Sequence, residues 1–307
     1  MRPHTAAVLE ALFVVFLWAT SWVLIKIGLR DLPPLTFAGL RYVLAALCLL
    51  DAATARGTTK EIRALPRSMW WRLIVLGLVA IAITQGAGFV TLALLPAVTT
   101  NLIWSFSSVA VAILGMLVLS ERPRLLQWGG IALALIGAVI YFYPASIPAG
   151  QITGVIVGAI GVLANAAASI MGREINRRQE HSPLAVTTVS MAAGAPVMLA
   201  AGLLLEEWPH ISLNNWLIIA WLAVVNTAVA FTLWNRTLRQ LTAMESSIIN
   251  GTMLIWIPIL AVLFLDEEVT AREILGLAAA AIGTLLVQLR GRAGGRASNM
   301  EGSASSH

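Results

Sequence analysis

The sequence predicts an all-α membrane protein of ten transmembrane helices, arranged as a five-plus-five inverted repeat with both termini cytoplasmic. Three observations predict it. Apolar runs with few charges fill the chain, the short loops are basic on one side only, and a shift of 146 residues lays one half over the other.

Of 307 residues, 59% are hydrophobic and 11% charged, whereas soluble domains carry roughly 25% charged residues. A helix rises 1.5 Å per residue, so about 20 apolar residues cross a hydrocarbon core of roughly 30 Å. Runs of that length fall at 7–28, 36–54, 71–93, 98–119 and 125–143 in the first half. In the second they fall at 152–173, 184–204, 214–235, 244–265 and 272–289. The split within LLPAVTTN, at Pro96, is required because the uninterrupted stretch is too long for one crossing. The two repeats are expected over 1–145 and 146–290, followed by a disordered tail at 291–307. The first run follows a basic N-terminus but is too long for a secretory signal, so it is read as a retained span.

Lys and Arg in short loops stay on the cytoplasmic side. With the N-terminus inside, 16 of the 20 basic residues fall in cytoplasmic segments, and the outside loops carry Asp31, Glu206, Glu207, Asp266, Glu267, Glu268 and Glu273. The net charge of +5 is thus an orientation signal. No basic face on a folded domain is available for a nucleic-acid partner.

The shift sets TLALLPA at 91–97 over TLRQLTA at 237–243, and it superposes Glu121 on Glu267, Gly130 on Gly276 and Gly137 on Gly283. Five spans per half is an odd number, so the second half enters the membrane inverted. Inverted repeats are the architecture of secondary transporters, which bind solute between the halves near mid-membrane and expose it alternately to each side.

With WATSWVLIKIGLRDLPPLTFAGLRY, the LxxLxA loops, the SER and DEE loop acids and the Gly-rich last span of each half, the chain resembles the ten-helix EamA branch of the drug/metabolite transporter superfamily. The resemblance implies the five-plus-five fold, no ATPase, and export or exchange of small metabolites. Amino-acid exporters, including those for aromatic amino acids, are prominent in that branch.

Polar side chains inside a bilayer face the bundle or a water-filled cavity. Asn101, Trp104, Ser105 and Ser108 follow i, i+3, i+4, i+7 and form one stripe, which the shift maps to Ser247, Asn250, Gly251 and Leu254. Trp18, Ser21 and Trp22 share a face, as do Asn165 and Ser169, Gln85 and Phe89, and Thr227, Phe231, Trp234 and Asn235. Together these predict a cavity with aromatic walls and neutral hydrogen-bonding groups, suited to a neutral or aromatic amino acid or a similar amphipathic metabolite. The alternative for each is helix packing, in which small and amide side chains let helices approach.

Lys26 and Arg41 are expected at comparable depth near the outer surface, as an outer mouth or gate that steers a carboxylate. Snorkelling of Lys26 to the interface is the alternative. No cofactor is expected: the four histidines fall in loops or tails, the only cysteine is Cys48, and G-x-x-x-x-G-K-[ST] does not occur. Glu10 is the one acid well inside a span, close to a cytoplasmic end, which argues for facilitated transport or exchange without proton coupling.

The expected function is a secondary transporter of the inner (plasma) membrane rather than an enzyme. Efflux of aromatic or cationic drugs is the alternative in the same class, and a membrane enzyme or scaffold is the alternative outside it. The expected partners are a small-molecule solute and the lipid bilayer; a homodimer is left open.

Overall fold

The computed structural model describes residues 3–119, 125–143, 149–177, 181–237, 240–241 and 243–288. Glu121, Arg122, Arg124, Arg178, Arg239 and the expected tail at 291–307 lie outside them. Ten helical spans run up and down: α1 Pro3–Gly28, α2 Pro34–Ala55, α3 Arg67–Leu94, α4 as Ala97–Ser105 and Ser107–Leu119, and α5 Leu125–Phe142. The second half repeats the series as α6 Ala149–Arg177, α7 Pro183–Leu205, α8 as Leu213–Val229 and Ala230–Thr237, α9 as Ala243–Gly251 and Met253–Leu265, and α10 Ala271–Gln288. No strand occurs among the described residues. An even number of crossings brings both chain ends to one side of the bundle, here the terminal side; the other is the distal side.

Local sequence sets the helix starts. Pro34 and Pro183 occupy first-turn positions of α2 and α7, where a missing N–H costs nothing. Ser182 and Ser212 cap α7 and α8 by accepting from the amides of Ala185 and Asn215, both at 3.2 Å.

The repeat extends to the irregularities. α3 winds as a π-helix over Leu78–Ile83 and α8 over Val224–Val229, one shift of 146 apart. α4 breaks at Phe106 and α9 at Thr252, again one shift apart. Within the wide turns, Thr84 Oγ1 donates to Val79 O at 2.7 Å and Thr227 Oγ1 to Leu222 O at 2.9 Å, satisfying carbonyls that regular winding would have paired.

Equivalent helices pack on each other, α2 against α7 and α5 against α10. At Gly39 an added Cβ would lie 2.5 Å from Leu199 Cα, and at Gly202 one would lie 2.6 Å from Thr36 N. Backbones this close leave no room for a side chain, so dispersion contacts between helices replace the hydrophobic driving force that lipid cannot supply.

Carboxylates tie the halves together at helix starts. Glu206 accepts from Leu35 N at 2.9 Å, Thr36 N at 2.8 Å and Thr36 Oγ1 at 2.7 Å. Glu267 accepts from the amides of Ala97 and Val98, the latter at 3.0 Å, after Asp266 ends α9 in the left-handed region (φ 55°). Each places a negative charge on the positive end of a helix dipole and satisfies N–H groups with no partner within the helix. Glu10 is ion-paired with Arg236 at 2.8 Å on the terminal side.

Candidate functional site

One cavity of about 1230 Å³ lies between the two halves. It reaches the terminal side at Gln127, Arg173 and Gln288, in the end turns of α5, α6 and α10. Its inner end is bounded by Arg41, Tyr42, Leu92 and Asn101. Beyond them the distal side is shut by the α3–α4 turn. Lys26 donates to Leu92 O and Leu95 O, both at 2.6 Å, and Glu267 holds the two amides just past that turn. The structure is therefore open to one side.

Trp18, Ser21, Trp22, Gln85, Phe89, Asn101, Trp104, Ser105, Ser108, Asn165, Ser169 and Asn250 line this cavity. The stripe on α4 stays on the wall in spite of the break at Phe106, because Ser108 on the far side is held by Gln288 Nε2 at 2.6 Å. Trp104 lies between α3 and α6: a Cβ on Gly88 would be 3.2 Å from its ring, and one on Gly161 3.1 Å. Two glycines thus make the slot that aims this indole.

Two expected residues sit elsewhere. Trp234 is not on the cavity wall but packs against Trp18, with ring centroids 5.2 Å apart. The π-turn at Val224–Val229 is the reason, since the extra residue rotates everything after it and a 3.6-residue stripe drawn from Thr227 points the wrong way. Arg41 is expected beside Lys26 at the mouth, yet it is 6% exposed and faces the cavity, one π-face away from Phe89. α2 starts at Pro34 on the distal side, so Arg41 is two turns deep. The side chains of Asn235 and Ser247 lie outside those described.

Asn226 and Tyr42 line the cavity as well, and sequence periodicity missed both. Asn226 is fully buried in the π-turn, where its Nδ2 donates to Leu17 O and its backbone carbonyl accepts from Trp18 Nε1 at 3.1 Å. Its Oδ1 has no hydrogen-bond partner among the described residues. Tyr42 donates to Gln85 Oε1 at 2.7 Å. An amide within an apolar run was the available signal for Asn226; for Tyr42 there was none.

No Asp or Glu lines the cavity among the described residues, and no cluster of potential metal ligands occurs among them. The arrangement offers aromatic faces, hydroxyls and amides around a buried cation.

A membrane-spanning inverted repeat with a central, one-sided cavity defines a small-solute transporter. The profile of the EamA-like transporter family matches residues 5–143 and 152–289, once per half, and the chain belongs to that family. A probable amino-acid metabolite efflux pump of Salmonella typhimurium is 31% identical over 243 residues, 74% of this chain and 76% of that protein. The inner membrane transporter YedA of Escherichia coli K12, itself uncharacterized, is 27% identical over 76% of this chain and 74% of its own length. An S-adenosylmethionine/S-adenosylhomocysteine transporter of Chlamydia trachomatis serovar L2 is 24% identical over 84% and 83% respectively. A solved crystal structure superposes with a TM-score of 0.66 over 92% of this chain and 97% of that one; its 18% sequence identity makes this a likeness of fold.

Proposed function

We propose that this transporter moves neutral or aromatic amino acids, or metabolites of that shape and charge, out across the inner membrane by alternating access. The carrying observation is the lining itself: Trp18, Trp22, Phe89 and Trp104 supply apolar faces, Ser and Asn side chains supply hydrogen bonds, and no acid lines the cavity among the described residues. The efflux-pump name of the Salmonella relative supports amino-acid metabolites as cargo. The basic short loops support both termini inside, so the open side is cytoplasmic and the structure is loading-competent for export.

Transport follows by exchange of the open side. Solute enters from the terminal side, fills the space beneath Arg41 and Tyr42, and the distal clasp of Lys26 and Glu267 opens as the terminal side closes. The acid-free lining supports transport without proton coupling, because a coupled carrier needs a titratable group where solute binds. Radiolabelled amino-acid flux in proteoliposomes tests the reading, with an imposed and then collapsed pH gradient. Flux that vanishes with the gradient refutes uncoupled transport, and absence of flux for every amino acid refutes the substrate class.

The aromatic walls also favour flat or cationic drugs through cation–π contacts. Drug resistance without amino-acid secretion in cells expressing the protein would establish this second reading.

A further inference from the structure

Arg41 is a buried cation without a counter-ion among the described residues. Its guanidinium lies 5.1 Å from the Tyr42 ring and 5.9 Å from the Phe89 ring. Among the described residues its one hydrogen bond, Nη2 to Thr227 Oγ1, is long at 3.4 Å, and its Nε has no partner. No carboxylate lies within ion-pairing distance of it among the described residues.

Arginine keeps its proton in any protein environment. Taking such a charge out of water costs several kcal/mol unless an anion and hydrogen bonds replace the hydration shell. Two π-faces and one long hydroxyl contact replace only part of it. The missing component is an anion, and the cavity wall contains none among the described residues. A planar guanidinium flanked by rings presents its remaining N–H edge to a carboxylate in two-pronged fashion.

Resting on the cavity being the solute site, we propose that Arg41 is the specificity-determining residue that binds the carboxylate of the transported solute, so that the cargo must carry a carboxylate to be held. The same arrangement rejects amines and amides that lack it, because they leave the guanidinium unpaired. It also separates the two cations expected together: Arg41 binds solute, whereas Lys26 spends its donors on the α3 terminus.

The test uses the full-length protein in detergent, with quenching of its tryptophan fluorescence as the readout, since Trp18, Trp22 and Trp104 line the site. The probes are L-phenylalanine, L-leucine, 3-phenylpropanoate, phenylalaninamide and phenethylamine. L-Phenylalanine and 3-phenylpropanoate are expected to bind the wild-type protein at least about tenfold more tightly than phenylalaninamide or phenethylamine. Arg41→Gln should remove that preference by weakening acid binding while amide and amine binding, relieved of a like charge, becomes no weaker, and Arg41→Lys should restore part of it.

Equal binding of acid and amide by the wild-type protein overturns the proposal and needs no variant that folds. So does an Arg41→Gln protein that retains the acid preference, or the absence of binding by every acid. Binding of 3-phenylpropanoate through Arg41 with no binding of either amino acid would uphold the carboxylate site and refute the amino-acid reading. Amino-acid flux that is insensitive to Arg41 would do the reverse.

Discussion

Gly130 and Gly283 lie backbone against backbone where α5 crosses α10. A Cβ on Gly130 would lie 2.7 Å from Gly283 O, and one on Gly283 would lie 2.6 Å from Gly130 O. Gly137 and Gly276 are related in the same way, at 2.6 and 2.7 Å. The shift of 146 pairs Gly130 with Gly276 and Gly137 with Gly283, so each glycine touches the equivalent of the other glycine on its own helix. That exchange is what an inverted repeat produces when its two last helices cross on the symmetry axis.

Because backbone cannot retreat as a side chain can, Gly130→Ala should destabilise the bundle by about 2 kcal/mol or more. Its neighbour Gly129 has nothing within 4 Å of an added Cβ. Gly129→Ala should therefore be neutral or stabilising, by up to about 1 kcal/mol from helix propensity. Melting of the two purified variants in detergent distinguishes them, and equal melting points would refute the close approach.

The distal clasp predicts a change of accessibility. With Cys48 replaced by Ala, a cysteine at Leu92, which is 3% exposed, should react slowly with a membrane-impermeant maleimide added from the distal side. Glu267→Gln should raise that rate several-fold, because an amide oxygen is a weaker acceptor for the Ala97 and Val98 amides than a carboxylate. Lys26→Met should alter transport rate or apparent affinity while leaving membrane insertion intact. Unchanged kinetics would reduce Lys26 to an interfacial anchor.

Trp104 should discriminate among solutes. Trp104→Leu removes an aromatic face but keeps apolar volume, so apparent affinity for phenylalanine should fall by about 1 kcal/mol, roughly five- to tenfold, with leucine less affected. Competition of the two amino acids for flux in proteoliposomes reads this directly.

Acid should weaken the terminal-side junction between the halves. Ser182 donates to Glu61 through its hydroxyl and its amide, both at 2.6 Å, and these bonds hold the Glu61 carboxyl below its ordinary range. Burial acts in the opposite direction, and His181 at 3.8 Å reinforces the lowering. A depressed folded value means that the contribution is present above the unfolded value of about 4.3 and is lost as pH falls through the folded one. The group is partly solvated, so the effect is small: the melting point should fall by a few degrees more in wild type than in Glu61→Gln between about pH 5 and 3.

The fold was legible because its determinants are additive and local. Each apolar run is long enough to span lipid whatever its neighbours do, and the register of 146 is carried by loop and glycine positions that tertiary contacts do not rearrange. The stripe of Asn101, Trp104, Ser105 and Ser108 was legible although α4 breaks within it at Phe106, since its first three residues share one regular helix and Gln288 holds Ser108 on the same wall.

Where winding departs from 3.6 residues per turn, local reasoning pointed elsewhere. The π-turn in α8 brought Asn226 to the cavity and took Trp234 away from it, and no propensity in VVNTAV announces the wider turn.

The sequence by itself determined ten crossings, their pairing by inversion and a polar, aromatic interior, because transfer of each segment into lipid is a property of that segment. Only the tertiary structure decided that Lys26 is consumed by the carbonyls of Leu92 and Leu95 while Arg41, fifteen positions later, is left facing a cavity that no anion lines among the described residues. Which charge finds a partner depends on helix ends brought together from far along the chain, and that is set by packing.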